Sequence, residues 1–359
     1  MATRFARDGR AGGAEFRRGA GLPPKRGDDE GGPMSGHFFV NRKRTWRFAR
    51  WWAGLCVSLA VMAAETGVEG TMARFAGPVI AGHLPEAVHE ASGLAVSRRD
   101  PGLFWTHEDS GGEPVLEAIA ADGASRGRVR VSGVRRNVDW EDISSFELDG
   151  KAWLLIADTG DNRARRGDCS LLVVEEPEPA RLAPQREIVV PVSWRIPVIY
   201  PDGPRDVEAV AVDAAENRVY LLAKRTTPHG LYVLPLRPTP PGRPMPPMER
   251  IGELPAFPSA EGAQAMLPIP FGMYRAQPTG MDFSADGSAA VIVTYGDVMV
   301  YPRRRDERWI DALARTPIRL ESHGLPQAEG VGFSADGRAI LVVGEGKAAP
   351  VLRYERRGR

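Results

Sequence analysis

The chain is poor in the residues that build soft-metal centres and covalent nucleophile sites. Two cysteines among 359 residues exclude a disulfide scaffold and a multi-cysteine zinc site. There are only six histidines, and no paired set offers a zinc or copper alternative. Gly-x-Ser-x-Gly, His-Glu-x-x-His, Walker A and Gly-x-Gly-x-x-Gly units are all missing, so no standard hydrolase, metalloprotease or nucleotide-binding motif is present. No convincing amphipathic helix can be traced. The net charge of +1 conceals an imbalance. Residues 1–50 hold 12 Lys/Arg against 5 Asp/Glu, leaving 35 against 41 in the rest. A mildly acidic body argues against a nucleic-acid binder. The Arg-Arg-Arg-Asp-Glu-Arg run at 303–308 reads as a mixed-charge outer loop.

The abundant residues are glycine (40) and proline (31), within a chain that is 43% hydrophobic and 26% charged. That balance predicts a real core with many turns and few long helices. Residues 1–40 read as a disordered or mis-started extension, rich in Gly, Arg and Asp. Residues 41–64 carry a basic stretch (Arg42, Lys43, Arg44, Arg47, Arg50) followed by the uncharged run 51–64. A positive region, a short apolar region and small residues at the end form a secretory signal. The run is shorter than the ~20 residues a spanning helix needs, so no stable membrane span is expected after cleavage near Ala63 or Ala64. The alternative is an uncleaved anchor. Residues 65–359 are expected to form a single secreted or periplasmic domain. Its lone thiol, Cys169, is a spectator with no histidine beside it.

Two segments repeat closely: GMDFSADGSAAVIVTYGDVMVY (280–301) and GVGFSADGRAILVVGEGKAAPVLRY (330–354). Both read as strand, Asp-Gly turn, strand, loop, strand, and Asp-Gly between alternating apolar runs is a strong hairpin signal. The same grammar appears more loosely from residues 90, 141 and 208. A further strand follows in four units, at 128–132, 187–194, 250–254 and 317–321. Four antiparallel strands, repeated without helices, predict an all-β fold, a β-propeller. Five blades are expected, with the last completed by residues 71–80 from the start of the mature chain. That closure would remove the exposed sheet edge. A sixth blade stays open because 256–278 is unassigned. The Pro-rich stretches 237–248 and 255–270 read as loops between blades.

Strict antiparallel alternation puts the entrance to each first strand and the exit from each second strand on one face. The entrances carry Glu90, Glu141, Glu208, Glu329 and, displaced, Asp282, with Asp139, Asp142 and Asp206 beside them. The exits carry His107 and Asp109, then Asp158, Asp161 and Asn162 in DTGDN, Lys224 and Arg225, Tyr295 and Asp297, and Glu345. Carboxylates gathered round one axis must protonate, pair with a base or hold a hard cation. Oxygen-rich clusters suit Ca²⁺ or Mg²⁺, and flexible exported loops favour Ca²⁺. The expected metal ligands are Glu90, Glu141, Asp158, Asp161, Asn162, Glu208 and Glu329. A second reading stays open for the strand-entrance glutamates: each could accept hydrogen bonds from the next blade and clamp the ring. His107, Asp109, Lys224 and Arg225 are the candidates for chemistry: Lys224 and Arg225 read first as solvated charges, with an anion clamp as the alternative, and His107 as a hydrogen-bonded structural residue, with a general base as the alternative.

The stretches ASGLAVSRRDPGLFWTHEDSGG, VDWEDI, ADTGDNRARR, YPDGPRDVEAV and FSADGR resemble a group of exported bacterial β-propeller proteins of largely unassigned function. The resemblance spans most of residues 85–354. More distantly the group is similar to phytase-like propellers and to calcium-dependent lactonase and gluconolactonase propellers. That likeness implies axial carboxylates around Ca²⁺, here Glu90, Glu141, Asp158, Asp161, Glu208 and Glu329, with the metal polarising a phosphate or lactone. The chain departs from both in lacking a full catalytic motif and in showing five repeats where six are usual. The resulting expectation is a monomeric exported propeller whose axial site binds a divalent cation and a small or anionic ligand, or a protein partner. The alternative is a metal-dependent hydrolase of a phosphoester or lactone.

Overall fold

The computed structural model describes residues 75–240, 242–244 and 246–357. All of these fall within the compact unit Leu59–Arg359. The extension, the signal segment and residues 71–74 lie outside the described residues. Strand β1 (Phe75–His83) pairs antiparallel with the last strand, β20 (Pro350–Arg356), so the two ends of the body share one sheet. The other strands follow in sets of four. The first set is β2 (Ala91–Val96), β3 (Leu103–Glu108), β4 (Val115–Ala120) and β5 (Ser125–Ser132). The second is β6 (Trp140–Leu148), β7 (Lys151–Asp158), β8 (Ser170–Glu175) and β9 (Glu187–Pro197). The third is β10 (Val207–Asp213), β11 (Arg218–Ala223), β12 (His229–Pro235) and β13 (Glu249–Leu254). The fourth is β14 (Pro278–Phe283), β15 (Ala289–Thr294), β16 (Val298–Pro302) and the two-residue β17 (Ile318–Arg319). β18 (Ala328–Phe333) and β19 (Ala339–Gly344) join β20 and β1 in the last set.

Within each set the strands pair as antiparallel neighbours, and the outer strands β5 and β9 of the first two sets add a parallel seam. That seam accounts for the one eight-stranded sheet. The innermost strands touch in a cycle, β2 to β6 to β10 to β14 to β18 and back to β2. The chain is a β-propeller. The stretch 256–278, open to a further blade, supplies none: residues 256–277 form no strand and hold a short 3-10 turn at Gly262–Met266, and Pro278 already begins β14.

The strand sequences explain their positions. β15 (AAVIVT) and β19 (AILVVG) are buried along their whole length, as a strand covered on both faces must be. The outer strand β9 (EIVVPVSWRIP) alternates exposed and covered residues over its first half, the period-two signature of a half-buried edge. The repeated Phe-Ser-Ala-Asp-Gly core folds into the same turn twice. Ser284 Oγ donates to Asp286 Oδ1 at 2.7 Å, and Ser334 Oγ to Asp336 Oδ1 at 2.7 Å. Gly287 and Gly337 follow at φ +67° and +65°, which a side chain rarely adopts.

The core is divided among the interfaces between neighbouring sets. Leu155, Val173, Leu221 and Tyr232 fill one of them. Leu222, Leu231, Ile292 and Trp309 fill the next, and Val291, Val300, Val331 and Ile340 the next. Leu94, Phe104, Leu341 and Val351 close the ring between the last set and the first. Trp105 and Trp140 are fully buried, the first in the interface between the first two sets. Fully burying one such side chain stabilises by about 2–3 kcal/mol.

Asp142 pins this ring from the inside. Its Oδ1 accepts from Ile143 N at 2.8 Å; its Oδ2 accepts from Val210 N at 2.8 Å and from Met281 N at 3.3 Å. One carboxylate thereby ties three inner strands. Burial pushes its pKa well above the usual carboxylate range, and the three N–H groups act against that shift. An Asp142→Asn change must turn an amide NH₂ toward an N–H donor whichever way it sits. It is expected to lower unfolding free energy by about 2–4 kcal/mol, read from urea denaturation. A loss below about 0.5 kcal/mol would remove the pin from this account.

Candidate functional site

One backbone hydrogen bond recurs in every set and builds the axial face. The residue leaving the second strand donates its N–H to the carbonyl just before the first strand. The pairs are Asp109 to Glu90 (2.9 Å), Gly160 to Asp139 (3.2 Å), Lys224 to Asp206 (2.9 Å), Tyr295 to Gln277 (3.2 Å) and Glu345 to Gln327 (2.9 Å). Strand entrances and second-strand exits therefore meet on one face. The second residue of each inner strand lies beside them: Ser92, Glu141, Glu208, Thr279 and Glu329. The inner strands break register around this position, and a bulge of that kind re-aims a side chain.

The structural frame shifts two of the entrance residues. Glu90 precedes β2 and is exposed, while Ser92 holds its ring position. Asp282 lies deeper in β14, where Oδ2 accepts from Phe333 N at 2.9 Å, and Thr279 holds the ring position. Ser92 and Thr279 act as interblade clamps, donating to the carbonyls of Glu141 (2.6 Å) and Ala328 (2.6 Å). The three glutamates carry the acidic ring.

On one side of the axis these acids are neutralised. Lys224, expected as a solvated charge, is buried. It forms an ion pair with Glu208 and donates to Tyr295 Oη at 2.8 Å. Tyr295 Oη in turn donates to Glu329 Oε1 at 3.1 Å. Burial alone would lower the Lys224 ammonium, but Glu208, Tyr295, Glu329 and Glu141 outweigh it and hold its pKa above the usual lysine range. Burial lifts Glu208 to about 7 against the pull of Lys224. It lifts Glu329 well above its ordinary value, with Glu208 and Glu345 adding to the shift.

The DTGDN loop is also internally satisfied. Arg166 Nη2 meets Asp158 Oδ1 at 2.8 Å, and Arg166 N donates to Asp161 Oδ2 at 2.7 Å. Asp206 accepts from Asp161 N at 2.8 Å and from Arg225 Nε at 2.5 Å, while Asn162 Oδ1 accepts from Arg225. Asp158, Asp161, Asn162 and Arg225 thus brace one another beside the axis. His107 is fully buried, and burial lowers its pKa to about 4. Its Nδ1 lies 3.0 Å from the Glu108 carbonyl. A carbonyl only accepts, so Nδ1 carries the proton of a neutral ring.

On the other side of the axis the acids have no hydrogen-bonding partner among the described residues, and Lys224 and Arg166 act on them only through space. Carboxylate oxygens of Asp109, Asp139 and Glu141 lie within 4.8 Å of one another, and Glu141 belongs to a second such group with Asp206 and Glu208. Among the described residues, no hydrogen bond or ion pair ends on the side chains of these three acids, and Asp109 Oδ1 is buried without a partner. Burial, then Asp139, Glu345 and Glu90, lift Asp109 to about 7. Burial, Glu208 and Asp109 lift Glu141 well above the ordinary range, and burial raises Asp139. Two carboxylates ~5 Å apart repel by roughly 3 kcal/mol at an effective dielectric of about 20.

Local structure holds this triad together. Asn137 Nδ2 donates to the carbonyls of Glu108 (2.8 Å) and Asp109, and its Oδ1 accepts from Trp140 N at 3.0 Å. Ser110 and Asp139 form a β-bridge. At Gly160, a Cβ would lie 1.9 Å from Glu141 Oε1 and 2.6 Å from Asp139 Oδ2. The other sets place Asp109, Lys224, Tyr295 or Glu345 at the matching hydrogen bond. In the second set Thr159 adds a residue, its hydroxyl donates to Val207 O at 2.9 Å, and a glycine takes the place. The missing side chain makes room for the acids. Asp139 is a site residue that the repeat pattern placed only as a neighbour, and glycine at an exit was no signal at all. A cavity of about 1260 Å³ lies elsewhere, at the strand-turn end, lined by residues including Phe146, Asp213, Asp286, Arg303 and Trp309.

The fold and this geometry define a β-propeller with an acidic axial face. No known family matches the sequence, and no curated protein does. Among solved structures, the chain is similar to a PQQ-bound aldose sugar dehydrogenase from Streptomyces coelicolor. The identity is 12%, the TM-score 0.41, and the match covers 78% of this chain and 98% of that one. It is also similar to a gluconolactonase from Xanthomonas campestris, with 10% identity, a TM-score of 0.45, and coverage of 79% and 92%.

Replacing Gly160 with alanine must displace both Glu141 and Asp139. Gly160→Ala is expected to destabilise by about 1–3 kcal/mol, read from urea denaturation. An unchanged midpoint would show that the glycine does not shape the triad.

Proposed function

We propose that the axial face is a divalent-cation site and that the chain is an exported propeller binding a small anionic ligand there. The observation that carries this reading is the donor-free triad Asp109, Asp139 and Glu141. Three carboxylates without hydrogen-bond partners need protons or a cation, and Asp109 Oδ1 is aimed at no protein donor. The donor set is all oxygen, which suits Ca²⁺. Asp109, Asp139 and Glu141 would hold it, with Glu208 next to Glu141. When bound, such a cation would polarise a phosphoryl or carbonyl oxygen. Lys224 and Arg225 add positive charge near the axis, although both are already engaged by Glu208 and Asp206. A metal-dependent hydrolase of a phosphoester or lactone is the second reading; the pairing of a cation triad with buried Lys224 and Tyr295 favours it. We further propose a monomer that binds no nucleic acid.

Two experiments test the cation. Asp109 and Glu208 have folded-state pKa values of about 7, above the roughly 4 of an unfolded chain. The folded state then holds protons that the unfolded state has lost. Stability from these groups is greatest near pH 4 and falls as pH rises through 7. In chelator, the melting temperature is expected to drop from pH 5 to pH 8, and millimolar Ca²⁺ should largely restore it. A profile unaffected by Ca²⁺ would defeat the cation reading. Asp109→Asn removes repulsion and a ligand together. It should raise the melting temperature in chelator at pH 8 and abolish the rise on adding Ca²⁺; a variant that still responds like the parent would place the ion elsewhere.

A further inference from the structure

The loop that leads into β14 is unusual for what it leaves uncovered. Nine large apolar residues are exposed among the described residues, and five of them fall within residues 266–274: Met266, Leu267, Phe271, Met273 and Tyr274. Met266 is 88% exposed and Met273 61%. An apolar patch of this kind marks a binding surface more often than chance. The loop is a built structure. Phe271 N and Gly272 N donate to Pro268 O at 2.9 and 3.1 Å, and Met273 N donates to Ala265 O at 3.2 Å. Gly272 packs so closely on the Leu267 carbonyl that a Cβ would lie 1.8 Å from it.

Its position ties it to the axial site. The loop enters a first strand, so it belongs to the same face as the triad. Gln277 N donates to Tyr274 O at 2.9 Å, Gly296 N to Arg275 O at 3.0 Å, and Tyr295 N to Gln277 O at 3.2 Å. Arg275 Nη2 meets Asp297 Oδ2 at 2.9 Å. The apolar segment therefore ends against the exit that carries Tyr295, whose hydroxyl contacts Lys224 and Glu329. The axial face is polar on the side of the first two sets, and the loop carrying the apolar residues reaches it at the fourth through Arg275 and Gln277.

We propose that the axial site takes a free amphiphile. Its oxyanion head faces the Asp109–Asp139–Glu141 cation site, and its apolar tail lies against Met266, Phe271, Met273 and Tyr274. The proposal rests on the cation reading of the same site. A bilayer surface fits less well. The apolar residues sit on one side of the mouth only, and the exposed Glu90 and half-exposed Asp109, Asp139 and Glu345 on the same face would repel an anionic membrane.

The test uses the whole folded chain with 1 mM Ca²⁺ and two phosphate monoesters below micelle concentration, octyl phosphate and methyl phosphate. Calorimetric titration is expected to show octyl phosphate binding at least tenfold tighter. In the Phe271→Ser/Met273→Ser variant that advantage should fall to threefold or less, with methyl phosphate and Ca²⁺ affinities unchanged. Equal affinities for the two esters, no binding of either, or an advantage that survives the double substitution would overturn the proposal. Co-sedimentation with phosphatidylcholine vesicles, without a chain-length effect for free esters, would overturn it in favour of a membrane surface. Ca²⁺ titration alone separates the two levels: intact Ca²⁺ binding with no chain-length effect sinks the amphiphile and leaves the cation, and absent Ca²⁺ binding sinks both.

Discussion

Closing a ring of sheets forces residues far apart in sequence onto one axis, and at one end of this axis many of them are acids. Glu141, Glu208 and Glu329 come from three different sets, and Asp109, Asp139 and Asp206 arrive beside them from the adjoining loops. Their mutual repulsion is a direct product of ring closure. The interblade cores supply the closure: apolar interfaces run continuously around the ring, and the last set is completed by β1. Burial there stabilises the ring strongly enough to hold like charges together that would separate in an open chain.

The molecule answers that repulsion differently on its two sides. Around the third, fourth and fifth sets it uses fixed protein charges and hydroxyls, with Lys224 between Glu208 and Tyr295 and Tyr295 passing a hydrogen bond on to Glu329. Around the DTGDN loop it uses guanidinium groups, Arg166 on Asp158 and Arg225 on Asp206. A fully partnered network of this kind rigidifies its surroundings. At Asp109, Asp139 and Glu141 no such partner is built in, and Asn137 instead spends its amide on the backbone that carries two of these acids.

Much of the architecture was legible because it rests on short-range chemistry. The Asp-Gly turns, the period-two outer strands and the uninterrupted apolar inner strands all announce themselves locally, and the repeat at 280 and 330 folds into the same turn twice. The closing strand from the start of the body was legible from the missing partner in the last repeat. The site was only half legible. Repeat spacing found Glu141, Glu208 and Glu329 on the ring, but it could not see the bulges that put Ser92 and Thr279, not Glu90 and Asp282, in the matching places. Nor could it foresee that the dense acids of DTGDN would be consumed by Arg166, because that pairing depends on a loop folding back on itself. Lys224 looked like a surface charge for the same reason: its burial depends on side chains from neighbouring sets.

The decisive residue is the one with no side chain. At the recurring hydrogen bond the other sets present Asp109, Lys224, Tyr295 or Glu345, and any of these at Gly160 would fill the space now taken by Asp139 and Glu141. A ring of five long side chains would pack the axis shut and settle its charges internally. One inserted residue, Thr159, turns its hydroxyl to the next blade and hands the position to glycine. The acids thereby crowd the side where they lack donors, while Lys224 and Tyr295 partner those on the other. That asymmetry sets charge relief against the proposed site. Residues that would quiet the repulsion are the ones that would also occupy or neutralise it, the kind of trade expected between stability and a binding role.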